Sequence, residues 1–131
     1  MTREIEWIRL ESVHAMHSRQ IAEHGGSGGT RDEGLLQSAL ARPENLFAYG
    51  GDEVDVAALA ASYAFGIARN HPFLDGNKRT ALVVSITFLN LNGYDLDATP
   101  AETYAAFLGL AEGTVSEDEL AEWFRTRLYR I

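Results

Sequence analysis

Cysteine is missing from the chain, which excludes a disulfide framework and any thiolate-ligated metal centre and permits a reducing compartment. Basic residues are scarce, 11 against 19 acidic ones, for a formal net charge of −8. A surface that tracks a nucleic-acid backbone needs the opposite balance, and no basic recognition helix is evident, so direct nucleic-acid binding is not expected. No apolar run reaches membrane-spanning length. The opening MTREIEWIRLE alternates charged and apolar residues without the apolar stretch of a secretory leader. The expectation is a soluble, cytoplasmic protein with no membrane partner. Proline occurs three times, each time at an expected helix boundary.

What is present points to one helical domain. The 131 residues, 46% hydrophobic and 23% charged, suffice to bury a core without staples, so residues 1–131 are read as a single domain. Leu10, Val13, His17 and Ile21 share one helical face, and Gly25 and Gly26 stop that helix. Thr30 and Glu33 match a capping box for a second, short helix closed by Pro43. The stretch ENLFAYGGDEVD is either a small hairpin or an irregular flap, because Gly50 and Gly51 supply the backbone freedom of a tight turn.

DVAALAASYAFGIAR reads as a buried helix with Asp55 at its start. TALVVSITFLNLNG has strand-forming residues, but its length and the Asn92–Gly93 terminator favour a central buried helix. Capping boxes at Thr99/Glu102, with Pro100 at the first helical position, and at Ser116/Glu119 announce two more helices, the last carrying Leu120, Trp123, Phe124 and Leu128. The fold class is all-α: a compact bundle of about six helices with a possible small β-hairpin flap.

Between the two apolar helices lies HPFLDGNKRT, residues 71–80. Pro72 prevents a smooth helical passage, so a new helix starts near Asn77 with its free N–H groups and positive dipole end facing the loop. Lys78 and Arg79 in that first turn are electrostatically misplaced unless an anion is held there, and Gly76 allows its close approach. Asp75 can cap the helix or ligate Mg²⁺ travelling with a nucleotide. His71 can accept a proton from a hydroxyl. Singly, each residue has a plain reading: a loop histidine, an Asp-Gly turn, a solvated Lys-Arg face. Together they describe a phosphate site with a proton acceptor.

These residues resemble the Fic/Doc family signature, HxFx(D/E)(G/A)N followed by basic residues. Nine positions match its death-on-curing (Doc) branch: His71, Pro72, Phe73, Asp75, Gly76, Asn77, Lys78, Arg79 and Thr80. Residues 17–43 also resemble the N-terminal pattern of Doc-like proteins, with His17, Ile21, Gly25, Gly26, Arg31, Asp32 and Gly34 in register. The resemblance implies that His71 is the general base, that Phe73 anchors the loop and that Asp75 binds Mg²⁺. Gly76, Asn77, Lys78 and Arg79 would hold the phosphates of ATP, with Arg69 assisting. Tyr49, Gly50, Gly51 and Asp52 would be a flap that aligns a target segment by strand addition.

Fic adenylyltransferases carry glycine where this chain has Lys78 and a second arginine where it has Leu82. The lysine goes, in Doc-like proteins, with an inverted nucleotide and transfer of the terminal phosphate. Resemblance thus implies a growth-arresting toxin that phosphorylates a Ser or Thr hydroxyl, with elongation factor Tu the typical target. The family's self-inhibitory pattern, Ser or Thr followed four positions later by Glu and then Gly or Asn, is not found in the sequence, so inhibition is expected in trans from an antitoxin. The rival readings are an adenylyltransferase with the same base and a non-enzymatic module that binds an anion or acidic peptide.

Overall fold

The computed structural model describes residues 4–131; the first three residues of the charged opening segment lie outside the described residues. The elements are α1 (Leu10–His24), α2 (Glu33–Gly50), a single 3-10 turn (Gly51–Glu53), α3 (Val56–Asn70), α4 (Asn77–Leu91), β1 (Tyr94–Leu96), α5 (Pro100–Glu112), α6 (Glu117–Arg125) and β2 (Leu128–Arg130). The all-α expectation therefore holds, with a minor sheet. No helix among the described residues is long and apolar enough to cross a membrane.

α3 is the hub. Alanines and glycine on most of its sides let α2, α4 and α6 pack closely around it, and Val56, Leu59, Tyr63 and Ile67 are buried along its length. A Cβ on Gly66 would come within 3.1 Å of the Ala39 backbone, so the α2–α3 approach depends on glycine there. The buried Tyr63 hydroxyl accepts from Ile8 N–H at 3.0 Å, and burial pushes its phenol up to about 12.

α2 departs from expectation at both ends. Its start is capped by Asp32, whose Oδ1 accepts from Leu35 N–H at 3.0 Å, not by a Thr30/Glu33 box. Thr30 is drawn instead into a bridge with Phe73, and Glu33 pairs with His14 at 3.0 Å. Pro43 does not close the helix but sits buried inside it. The ring forfeits one backbone bond, and burial of Leu36, Ala39, Leu40 and Pro43 on one face offsets the loss.

Neither the hairpin nor the irregular flap read around Gly50–Gly51 is formed. Tyr49 and Gly50 finish α2, and the chain stays helically wound through Gly51–Glu53. Val54 folds over Gly50 so closely that a Cβ there would meet it at 2.2 Å. The observed sheet lies elsewhere: β1 pairs antiparallel with β2, Tyr94 opposite Arg130 and Leu96 opposite Leu128. Leu128 thus belongs to a strand and not to the last helix.

α4 is buried on one side only. Asn77, Thr80, Ala81, Val84, Ser85, Phe88 and Leu89 face the core, whereas Leu82, Val83 and Ile86 remain half-buried. Both later capping boxes form as expected, at Thr99/Glu102 and Ser116/Glu119.

Asp55 caps α3 and binds Arg125 of α6 through two contacts of 2.6 and 3.0 Å. The Arg125 hydrogen bond holds the Asp55 carboxyl below its usual range. A lowered folded-state pKa stabilises the fold above the unfolded value of about 3.9 and ceases to do so as pH falls through the lowered one. The stability gap between the native chain and Asp55→Asn, measured by urea unfolding, should therefore be widest above pH ~5 and shrink progressively as pH falls below the unfolded value of about 3.9. Glu117 runs the other way: burial raises its carboxyl although Arg42 contacts it, so its ionised form costs stability at neutral pH.

Candidate active site

The motif begins where α3 ends. His71 caps it in the left-handed conformation, φ 52° and ψ 54°, the single non-glycine with positive φ among the described residues. Such a backbone costs about 1–3 kcal/mol and persists only where its surroundings enforce it. Arg31 does so here: its Nε donates to the His71 carbonyl at 2.7 Å and its Nη2 to the Asn70 carbonyl at 2.8 Å. The backbone N–H groups of Arg31 and Asp32 both donate to Pro72 O, at 2.7 and 3.0 Å. The guanidinium thus satisfies the carbonyls that the end of α3 leaves open.

Phe73 is fully buried and pins the loop. Its ring stacks on that of His17 at 3.8 Å between centroids, 7° from parallel, while His17 Nε2 donates to the Asp75 carbonyl at 2.8 Å. His17, read from sequence as one more residue on the α1 face, is therefore a brace between α1 and the motif.

Asn77 closes the loop on itself. Its Oδ1 accepts from Phe73 N–H at 3.0 Å, and its Nδ2 donates to Phe73 O at 3.0 Å and lies 3.1 Å from His71 Nδ1. With Oδ1 committed to a backbone donor, the amide nitrogen faces the imidazole, so Nδ1 accepts. The neutral ring then carries its proton on Nε2. Its available lone pair, on Nδ1, is the one that Asn77 holds.

α4 begins at Asn77 behind Gly76, which has φ 78° and no side-chain cap. Lys78 and Arg79 follow in the first turn. His71, Asp75, Gly76, Asn77, Lys78 and Arg79 line one concavity of about 370 Å³, closed on its far side by Tyr104 of α5. The Lys78 ammonium donates to the Tyr104 hydroxyl at 3.1 Å and lies 4.8 Å from its ring centre. Imidazole and ammonium thus face the same space. Backbone donors, a helix N-terminus and two cations make that space a receptor for polyanions.

Asp75 spends Oδ1 on Gly76 N–H at 2.8 Å and points Oδ2 at Ser27 N–H, 3.4 Å away. Each oxygen accepts one hydrogen bond and has a second lone pair. No group of three or more metal-ligating side chains exists among the described residues. A single carboxylate suits Mg²⁺, which retains several waters and takes its other ligands from phosphate oxygens.

Two sets of residues read as site components are not brought to the concavity. Arg69 is absent from its lining and lays its guanidinium over Phe65, 5.6 Å from the ring centre. Tyr49, Gly50, Gly51 and Asp52 lie at the other end of the bundle. α2 starts beside Pro72 and runs away from it, and α3 needs its whole 15 residues to return, a distance of about 22 Å. The segment beside the motif is Gly29–Arg31, through the Thr30–Phe73 bridge and Leu74 N–H to Gly29 O at 3.2 Å. Arg31 carried a sequence signal as part of the N-terminal resemblance. Tyr104, on a helix without other site residues, carried none.

Arg31→Ala should leave the chain folded but lower its thermal midpoint by a few degrees, since two hydrogen bonds from a charged donor are lost, and should let the His71 backbone relax from its left-handed conformation. Thermal unfolding and the backbone NMR shifts of His71 check this; an unchanged midpoint with unchanged shifts would mean that the loop holds His71 without the guanidinium.

A sequence model of the Fic/DOC family matches residues 7–89, which contain the whole motif. The chain is 35% identical over 123 residues to the "Protein kinase doc" of Escherichia phage P1, covering 93% of this chain and 94% of that one. It is 45% identical over 75 residues to the "Toxin Doc" of Mycolicibacterium smegmatis, covering 56% and 57% respectively.

Proposed function

The chain belongs to the Fic/DOC family, and from that membership we propose that it is the toxin of a toxin–antitoxin pair, a protein kinase that moves the terminal phosphate of ATP to a Ser or Thr hydroxyl. The observation that carries this reading is the pairing of His71 with Lys78 and Arg79 around one concavity at the start of α4. The relatives' names, a protein kinase and a toxin, support it.

In the proposed reaction His71 accepts the target hydroxyl proton at Nδ1, displacing the Asn77 amide from that lone pair. The freed oxygen bonds to the terminal phosphorus as the bridging P–O bond breaks, and ADP leaves with the electron pair. Lys78, Arg79 and the N–H groups of the first turn of α4 meet the charge on the phosphates, which is where most of the barrier lowering in phosphoryl transfer arises. Asp75 would hold Mg²⁺, which neutralises phosphate charge when bound. The left-handed backbone of His71, held by Arg31, fixes the point from which the imidazole reaches the concavity.

The target segment approaches over the Gly29–Arg31 side of the motif, not over Tyr49–Asp52. Elongation factor Tu is the proposed target and a cognate antitoxin the proposed inhibitor. Incubation with ATP, Mg²⁺ and elongation factor Tu, followed by site-resolved mass spectrometry, should find one phosphate on a Ser or Thr. An added AMP instead would make the chain an adenylyltransferase, and no modification of any hydroxyl-bearing protein would leave an anion-binding module.

A further inference from the structure

The motif loop exposes one large apolar side chain. Leu74 is 57% accessible to solvent, between the fully buried Phe73 and the carboxylate of Asp75. A single exposed leucine is ordinary on a protein surface, but two features set this one apart. It lines the same concavity as His71, in a wall otherwise made of polar, charged or small residues and the Tyr104 ring. It also leans on the glycine loop after α1, where a Cβ on Gly29 would come within 3.3 Å of Leu74 Cδ1. Leu74 therefore stands where that loop and the concavity meet.

Its backbone is fixed on both sides. Leu74 N–H donates to Gly29 O at 3.2 Å, Thr30 bridges to Phe73, and the Asp75 carbonyl accepts from His17 Nε2 at 2.8 Å. Contact with a ligand thus orders the leucine side chain alone, with no loop to reorganise. Gly25, Gly26, Ser27, Gly28 and Gly29 are all exposed, so a segment crossing the loop meets nearly bare backbone with the leucine at its edge.

We propose that Leu74 is a specificity-determining residue for the target and takes an aliphatic side chain two positions from the acceptor Ser or Thr. The proposal rests on the reading of His71 as the base and on approach of the target over Gly29–Arg31, and it adds what the target segment must carry. An extended segment sends alternate side chains to one face. When the acceptor hydroxyl points to His71, the residues two positions away face the same surface, about 6–7 Å along the chain, and the acceptor's immediate neighbours face away. The chemistry follows from the leucine itself. It offers neither charge nor hydrogen bond, so a charged partner would lose water against it without a compensating contact, whereas an aliphatic partner removes hydrocarbon from water on both sides.

Peptides with a central Ser or Thr, randomised at the two positions on either side, test this with the full chain and Mg·ATP. Peptides carrying Leu, Ile or Val two positions from the acceptor should be phosphorylated about tenfold faster than those carrying Asp or Lys there, with no such preference at the adjacent positions. Leu74→Ala should erase the preference. Leu74→Lys should move it to Asp and Glu at the same position, a reversal that a merely structural role would not produce. A binding arm uses the same peptides with Ala in place of the acceptor: the aliphatic ones should shift the Leu74 methyl resonances and the Lys-bearing ones should not. Phosphate transfer without preference at that position, or a preference that survives Leu74→Ala, overturns the inference and leaves the kinase reading standing. Selective methyl shifts without transfer to any peptide support the leucine contact and count against the kinase reading. Absence of both overturns the inference, and the elongation factor Tu assay then decides the kinase reading by itself.

Discussion

Alanine in place of His71 is expected to lower phosphate transfer by about 10²–10⁴-fold, the usual contribution of a positioned general base. The imidazole is exposed and its ring contact is with the Asn77 amide, so little packing is lost. Alanine must still adopt the left-handed backbone that the Arg31 fork imposes, which adds a modest cost to the fold. ATP affinity should persist, because Lys78, Arg79 and the start of α4 are untouched. Parallel measurements of turnover, ATP dissociation constant and thermal midpoint separate these contributions: turnover falls steeply, ATP affinity holds and the midpoint drops slightly. A variant that binds ATP and still transfers phosphate at the native rate would remove His71 from the chemistry.

The second large effect belongs to Lys78. Its ammonium is held at 3.1 Å by the Tyr104 hydroxyl at the concavity where the proposed reaction develops charge on the transferred group. Lys78→Ala should cost about 10²–10³-fold in turnover, as for the removal of one preorganised electrostatic donor. Lys78→Arg should not restore it, because a planar fork cannot reproduce a compact ammonium at the same hydroxyl. Lys78→Gly is expected to lose phosphate transfer without gaining AMP transfer, since Leu82 stays apolar where a phosphate-binding arginine would be needed. Mass spectrometry of the modified target distinguishes these outcomes. Native turnover in Lys78→Ala would show the ammonium to be a solvated surface charge.

Much of this molecule was legible in the sequence because its helix ends are set by local chemistry. Gly25, Asp55, Thr99 and Ser116 act through bonds to residues within four positions, and local bonds leave local signatures. The motif was legible for the same reason: six candidate site residues lie within one stretch of nine. What stayed hidden depends on distant partners. Pro43 looked like a terminator because its missing N–H is a local fact, whereas the burial that keeps α2 intact beyond it comes from the packing of α2 against α3. Thr30 looked like a cap until its pairing with Phe73, forty-three positions on, claimed it.

The apolar sequence of α4 misled in a more useful way. Hydrocarbon on nearly every side suggested a fully buried helix, and the structure gives only one side to the core. The other side faces a cavity. β1 and β2, three residues each, are too short for any periodicity to show. Arg31 and His17 act on His71 and Asp75 across forty and fifty-eight positions, a relation that exists only once α1, α2 and the motif loop are brought together.

Transfer from ATP carrying label at either the α or the γ phosphorus tests the central claim most directly. With His71 and Lys78 lining one concavity, the target should acquire γ label only, and none when His71 is alanine. Label arriving from the α position, or γ label arriving equally well without His71, would contradict the account.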